Sequence, residues 1–515
     1  MEQFLETIFR LDAQGDMVGL HDFVAQSGYG IDAVFVAFQQ LLLRRKLRSA
    51  HLLAMILDKS GHADAVIALA LGAGRLAYGN PENFAHSHEL NRLRMLVDAQ
   101  SPAQQTEFLK RFLPPVMITL SNIALPKMDQ GMLVQAIELL RAAVPPYRPI
   151  FDFNQPMPAF SLEEQRRQGW EKARVIENPL PPVDAPRLPR RVMLDWPQRA
   201  LHGHPVRLAA AFRQYGWQVE IFDRFWTSDN AAENGRALAD LCRQQDTEFL
   251  FFHGDLRIAA PDAVRHYREM VAHLRQELPS IKVGCWLDDI DRWIGEARFM
   301  RELSDFCDVM CSSLCHPVPV YDHPDYAKKI LRGWTPNTAG NYLVPDRPLD
   351  PQRMLYDASV YSDYWLRLIW LTAAEHKGIR INRVLTAFSY DNPVYQRSPL
   401  EYYAGYMKRL GESTCAVNFA LIDGHRLMHG RTFETLFSGS LLLQEAAPNV
   451  WGYFIPGEHY LEFTTLAELA ALVRFITEHP EEAEEVRRRG NAFACERYND
   501  DRLVAQLDKF LFFPD

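Results

Sequence analysis

The chain has 515 residues, 48% of them hydrophobic and 23% charged, with a formal net charge of -9. That length exceeds what one hydrophobic core organises, so two or three domains are expected, and the acidic balance excludes a general nucleic-acid binder, which needs a basic surface to meet phosphates. The opening MEQFLETIFRLDAQGD mixes acids into its apolar residues and does not read as a signal peptide. No apolar run approaches the roughly 18–20 residues that span a bilayer, so a cytoplasmic protein without a transmembrane segment is expected, peripheral membrane contact remaining open.

Residues 1–144 carry apolar positions at three- and four-residue spacing, as in Phe4, Ile8 and Leu11, then Val34, Phe38, Leu41 and Leu42. This predicts an all-helical domain of six to eight short helices, serving as a docking surface for an acceptor or partner, or simply as a cap. Residues 145–190 are rich in proline around one charged helix at 162–174 and form a linker.

From residue 191 the rhythm changes. Buried strands are predicted at 192–195, 218–222, 248–253, 281–287 and 308–312, separated by amphipathic helices. Continuous apolar strands alternating with helices mean a parallel sheet covered on both faces. This first Rossmann-like lobe ends near residue 335. After a turn-rich segment the alternation resumes over 353–515, with strands at 355–361, 380–388, 415–421, 441–443 and 453–455 and long helices to the end. Ligands of such sheets sit beyond the carboxyl ends of the strands, so the crevice between the lobes is the expected site.

Several side chains fall at those ends. The loop after the first strand reads DWPQRALHGHPVRL and offers Asp195, His202 and His204. A histidine is a candidate general base near neutral pH, although either would equally cap the following helix or pack against the turn. The third strand ends in His253 and Asp255 and the fourth in Asp288 and Asp289, candidates on the acceptor side; a helix N-cap is the competing use of such acids. In the second half Arg367 is a candidate for donor phosphates, and Asn418 is a polar group in an apolar strand that needs a partner. The seven cysteines are widely spaced and read as reduced thiols. Cys307, Cys311, Cys315 and His316 lack the close pair of common zinc sites, and no metal is assigned to them.

The segment 425–445, HRLMHGRTFETLFSGSLLLQE, combines His425, Arg426, His429, Gly430, Arg431 and Thr432 with Glu434 one turn later, then a small-residue turn and an apolar strand. The N–H groups and dipole at a helix start suit a diphosphate, and an arginine adds a planar charged fork. An amphipathic helix entering a buried strand, with solvated charges, accounts for the same pattern.

GRTFETLFSGSLLLQE and the WGYFIPGEHYLEFTTLAELAALVRFITEHPEEAEEVRRRG that follows resemble the C-terminal lobe of CgeB-like proteins, within the group-1 glycosyltransferases of GT-B fold. The resemblance covers roughly 191–510 and is most specific after Gly430. It implies an α/β fold of two Rossmann-like lobes and transfer of a sugar from a nucleoside-diphosphate donor, held by the C-terminal lobe, to an acceptor held by the N-terminal lobe. Glu434 matches the acid that grips the donor ribose, and Arg431 with Thr432 the diphosphate-facing helix start. Relatives carry a first glutamate eight positions earlier, where this chain has Arg426, which departs from the pattern. The loop HGHPVRL is similar to the GHxxP loop of inverting GT-B enzymes, in which His204 would be the base and Asp288 would orient it.

The expectation is therefore an all-α domain followed by a two-lobed glycosyltransferase acting on a protein or glycan acceptor. It needs no cofactor and no metal, because helix-end N–H groups and arginines meet the charge on the leaving diphosphate. A catalytically inactive scaffold on the same fold, or a sugar-nucleotide epimerase or hydrolase, is the alternative.

Overall fold

The computed structural model describes residues 1–78, 88–124, 130–144, 155–174, 187–196, 204–224, 226–227, 229–254, 263–287, 297–312, 327–337, 348–357, 365–384, 397–422, 425–426, 428 and 430–513. The regular elements among the described residues of the first 144 are all helices: α1 (Glu2–Gln14), α2 (Met17–Gln26), α3 (Ile31–Leu43), α4 (Leu47–Lys59), α5 (Ala65–Tyr78), α6 (His88–Asp98), α7 (Pro102–Arg111), α8 (Leu113–Ala124) and α9 (Gln130–Ala143). The nine among the described residues exceed the expected six to eight because junctions are tight. Gly15 ends α1 with a φ of 70°, and Asp16 at once caps α2 by accepting from the Gly19 N–H. A capping box of Ser101 and Gln104 opens α7.

Their core does not close on itself. Leu120, Ile137 and Leu140 of the helical domain belong to one buried cluster with Trp370 and Leu371 of α15 (Trp365–His376) and with Leu469 and Leu472 of α18 (Leu466–Glu478), so the domain lies on the second lobe.

The first lobe holds β1 (Arg191–Asp195), β2 (Gln218–Phe222), β3 (Phe249–His253), β4 (Lys282–Leu287), β5 (Val309–Ser312) and β6 (Ile330–Arg332), in the order β2-β1-β3-β4-β5-β6. All neighbours are parallel. Every residue of β3 is buried, as a strand covered on both faces requires. The covering helices are α11 (His204–Tyr215), α12 (Ala231–Gln244), α13 (Ala263–Glu277) and α14 (Ala297–Ser304). Strand β6 escapes the sequence reading because its three residues are too few for a periodic signal and none is fully buried.

The second lobe carries β7 (Leu355–Asp357), β8 (Asn382–Val384), β9 (Cys415–Asn418), β12 (Leu441–Glu445) and β13 (Leu461–Phe463) in the parallel order β13-β12-β9-β7-β8. A separate antiparallel pair, β10 (Leu421–Ile422) and β11 (His425–Arg426), precedes α17 (Gly430–Phe437). Helix α16 (Pro399–Ser413) leads into β9, and α19 (Pro480–Arg497) and α20 (Asp500–Phe512) close the chain. Of the strand expected at 453–455, Tyr453 ends a turn and 454–455 are irregular; the strand is β13, a few residues later.

This is a two-lobed α/β architecture, each lobe a parallel sheet flanked by helices, preceded by an all-α region. Two connections tie it together. Helix α20, at the end of the segment assigned to the second lobe, returns to the first: Leu503, Val504 and Leu507 share a core with Leu208 and Phe212 of α11, and Asp508 accepts from Arg190 at 3.1 Å. Helix α10 (Leu162–Arg174), in the linker, lies along the edge of the second sheet, where Gly457, at a φ of 78°, leaves room for the Arg166 backbone that a Cβ would meet at 2.7 Å.

Candidate active site between the lobes

Parallel packing brings the carboxyl ends of both sheets to one interface, where residues of the two lobes share a core: Trp196, Trp286 and Trp334 on one side, Tyr403, Tyr406 and Phe433 on the other. Charged groups enter this apolar setting only in partnership.

The main partnership crosses the lobes. Arg207, from the first turn of α11, donates through Nη1 to Glu434 Oε1 at 3.0 Å, and the Tyr406 hydroxyl of α16 donates to Glu434 Oε2 at 2.9 Å. Side-chain exposure is 2% for Arg207 and 0% for Glu434. The Arg207 guanidinium lies over the Tyr403 ring, 4.1 Å from its centroid. Asp500, at the start of α20, is within electrostatic reach of Arg207. Burial raises its pKa to about 6, against the opposing pull of an Asn337 N–H bond and of Arg207.

A polar cluster lies beside this pair, at the ends of β9 and β12. Asn418 and Gln444 are neighbours in register. Asn418 Nδ2 donates to Gln444 Oε1 at 2.7 Å and to Thr432 Oγ1 at 3.1 Å, and the Thr432 hydroxyl donates to Gln444 Oε1 at 2.9 Å. Glu445 Oε2 accepts the Ala420 N–H at 2.8 Å. The partner that Asn418 required is thus supplied by the next strand and by the helix.

Of the expected donor residues, Gly430 opens α17, and Arg431, Thr432 and Glu434 are all buried on it. The structure gives three of these side chains their neighbours. Thr432 is turned onto the sheet and occupied there; Arg431 lies with its guanidinium 4.7 Å from the centre of the Tyr356 ring; Glu434 is held on both oxygens. The solvated-helix alternative for this segment does not hold, because Arg431 and Glu434 are inside. Arg367 is buried in the first turn of α15. His425 and Arg426 form β11, but their side chains, like His429 as a whole, lie outside the described residues.

On the opposite side, His253 ends β3 and is 9% exposed, its ring 4.5 Å from that of Trp196. It faces the interlobe core, as the alternation with Phe249 and Phe251 demands. Asp195 takes the other face. Trp226 donates to its Oδ1 at 3.0 Å, while the Tyr267 hydroxyl approaches without a well-formed hydrogen bond. Burial raises its pKa to about 7, the Trp226 and Tyr267 contacts opposing. The expectation that Asp195 meets a ligand in the cleft is therefore corrected: strand parity turns it under α13. His204 begins α11, its side chain outside the described residues; His202, Asp255, Asp288 and Asp289 are outside them entirely. Cys307 and Cys311 belong to cores on opposite faces of the first sheet, and Cys315 and His316 are not described. Among the described residues no cluster suited to a metal ion occurs.

Sequence reading missed Arg207, Tyr406 and Asp500. A signal exists for two of them. Arg207 falls on the line of Ala211 and Tyr215, and Asp500 on the line of Val504 and Leu507, each a charge at a core-periodic position of its helix. Neither sequence says which partner neutralises it.

Residues 367–509 match a protein family described as glycosyl transferase-like. Among solved structures, HepE of Anabaena, in complex with UDP and glucose, is 11% identical and covers 63% of this chain and 100% of its own, with a TM-score of 0.46. Sucrose-phosphate synthase of Thermosynechococcus elongatus is 12% identical, covering 63% and 99%, with a TM-score of 0.41. A glycosyltransferase of Rickettsia africae is 9% identical, covering 64% and 100%, at 0.39. Comparison with curated proteins gives no match. The second lobe is glycosyltransferase-like in sequence, and no described helix is long and apolar enough to cross a membrane.

Proposed function

We propose that the chain is a glycosyltransferase of the CgeB-like kind, which moves a sugar from a nucleoside-diphosphate donor in the second lobe to a protein or glycan acceptor on the first. The observation that carries the reading is Glu434: a carboxylate one turn inside a short helix at the strand ends, at the lobe interface, within the segment that matches the glycosyl transferase-like family. A buried acid in that position suits a ribose diol, because a carboxylate offers two oxygens to two hydroxyls. Arg431 on the same helix and Arg367 on α15 supply positive charge to the diphosphate, and His204, at the start of α11, is the proposed base, with His202 just before it in the chain and Asp288, after β4, as the acid that orients it. Leaving-group charge is met by these groups and by helix-end N–H donors, without a metal.

The test is calorimetric titration of the intact chain with UDP, GDP and ADP and with their sugar conjugates. Binding of at least one with a dissociation constant below about 1 mM, weakened on the order of tenfold in Glu434→Gln and Arg431→Lys, is the expected outcome. Binding unchanged in both variants would refute the donor site. The rival reading, a scaffold without turnover, is favoured by Arg426 in place of the first glutamate of relatives. Release of nucleoside diphosphate from a sugar donor in the presence of acceptor excludes the scaffold; release without any acceptor favours a hydrolase.

A further inference from the structure

An arginine is buried only where partners replace its hydration; Arg207 is paired with Glu434 of the other lobe, and the Asp500 carboxylate is near enough to feel its charge. Glu434 sits on α17 of the second lobe, 3.0 Å away. Asp500 sits at the start of α20, which packs on α11 itself, and its Oδ1 accepts the Asn337 N–H at 2.6 Å. Tyr406 belongs to the same lobe as Glu434 and moves with it, whereas Arg207 belongs to the other and leaves when the lobes part. Since Glu434 is 0% exposed, no ligand reaches its carboxylate while Arg207 holds it.

We propose that Arg207 is a cross-lobe latch: paired with Glu434, it occupies the place that a nucleotide's ribose diol takes, and ligand binding hands it to Asp500. This rests on the nucleoside-diphosphate reading of the cleft. The exchange needs little driving force, because the guanidinium keeps an anionic neighbour in both states and the Glu434 carboxylate keeps a donor in both. Its consequence is that the latch subtracts from donor affinity, since the binding-competent state is only a fraction of the empty protein. A diol satisfies Glu434 and repays the opening; a ligand without one does not. The device therefore selects for ribose over sugars lacking the two hydroxyls, and couples donor binding to the relation between the lobes.

The experiment uses the full chain, titrated with whichever of UDP, GDP and ADP binds best and with its 2′,3′-dideoxy counterpart. In R207M, which keeps the apolar stem and removes the charge, the ribose nucleotide is expected to bind more tightly by on the order of tenfold, with a much smaller change for the dideoxy compound. D500N, which removes the second anionic partner, is expected to weaken the ribose nucleotide several-fold. A folded R207M that binds the nucleotide equally or less well overturns the latch. Should R207M not fold, D500N decides, and unchanged or tighter binding there overturns it. Loss of affinity in E434Q together with no gain in R207M removes the latch and leaves the donor site standing. A native chain that binds none of the nucleotides removes both.

Discussion

The side-chain amide of Gln165 closes both backbone hydrogen bonds of Glu462: Nε2 donates to the Glu462 carbonyl at 2.8 Å, and Oε1 accepts the Glu462 N–H at 3.2 Å. A linker residue thus stands in for the neighbouring strand that β13, at the edge of its sheet, does not have. Lys172 of the same helix pairs with the Glu462 carboxylate, which also accepts from Trp451 and Tyr460. Unpaired strand edges invite association with other chains, and α10 covers this one.

Gln165→Ala should accordingly cost about 1–3 kcal/mol, the penalty of leaving backbone groups in a half-buried place without partners. Urea denaturation monitored by tryptophan fluorescence measures it. A loss below about 0.5 kcal/mol would mean that water replaces the amide.

The helical domain shares its core with α15 and α18 of the second lobe. A chain beginning at residue 155 keeps α10 but uncovers that apolar face, so it is expected to form soluble oligomers or precipitate. A monodisperse monomer on size-exclusion chromatography would contradict the shared core.

Glu434→Ala removes the counter-charge of a guanidinium that is 2% exposed. Breaking a buried pair from one side costs about 3–5 kcal/mol, so this variant is expected to be clearly destabilised, and Glu434→Gln, which keeps an acceptor for Arg207, less so. Thermal melting of the two variants tests the difference.

Asp195, with a pKa of about 7, and Asp500, at about 6, hold protons that the unfolded chain gives up near the ordinary Asp value of 3.8. Between about pH 4 and 7 the folded state therefore binds more protons at these two carboxyls, and their contribution to stability falls as pH rises through that window. The contribution of these two groups is fully present below about pH 4 and lost above about pH 7. For Asp195 the effect is on the order of a few kcal/mol, and Asp195→Asn should flatten the profile and stabilise the protein at pH 8. Denaturation midpoints at pH 5 and pH 8 that change equally in the native chain and the variant would exclude it.

Local pattern determines much of this protein. Hydrophobic period separates helices 1–144 from the strand-helix halves, and continuous apolar runs such as 249–252 identify buried parallel strands, because burial on both faces leaves no room for alternation. The segment 430–445 is legible as a helix entering a buried strand by the same logic. Its chemistry is not fully legible. Whether Asp195 meets a ligand depends on strand parity and on which helix covers that face, and only the fold sets both. That Arg207 and Glu434, 227 residues apart in sequence, neutralise each other is likewise decided by the return of α20 to the first lobe and the meeting of two sheets. Sequence determines which side chains are costly to bury; tertiary structure alone decides which partner meets that cost.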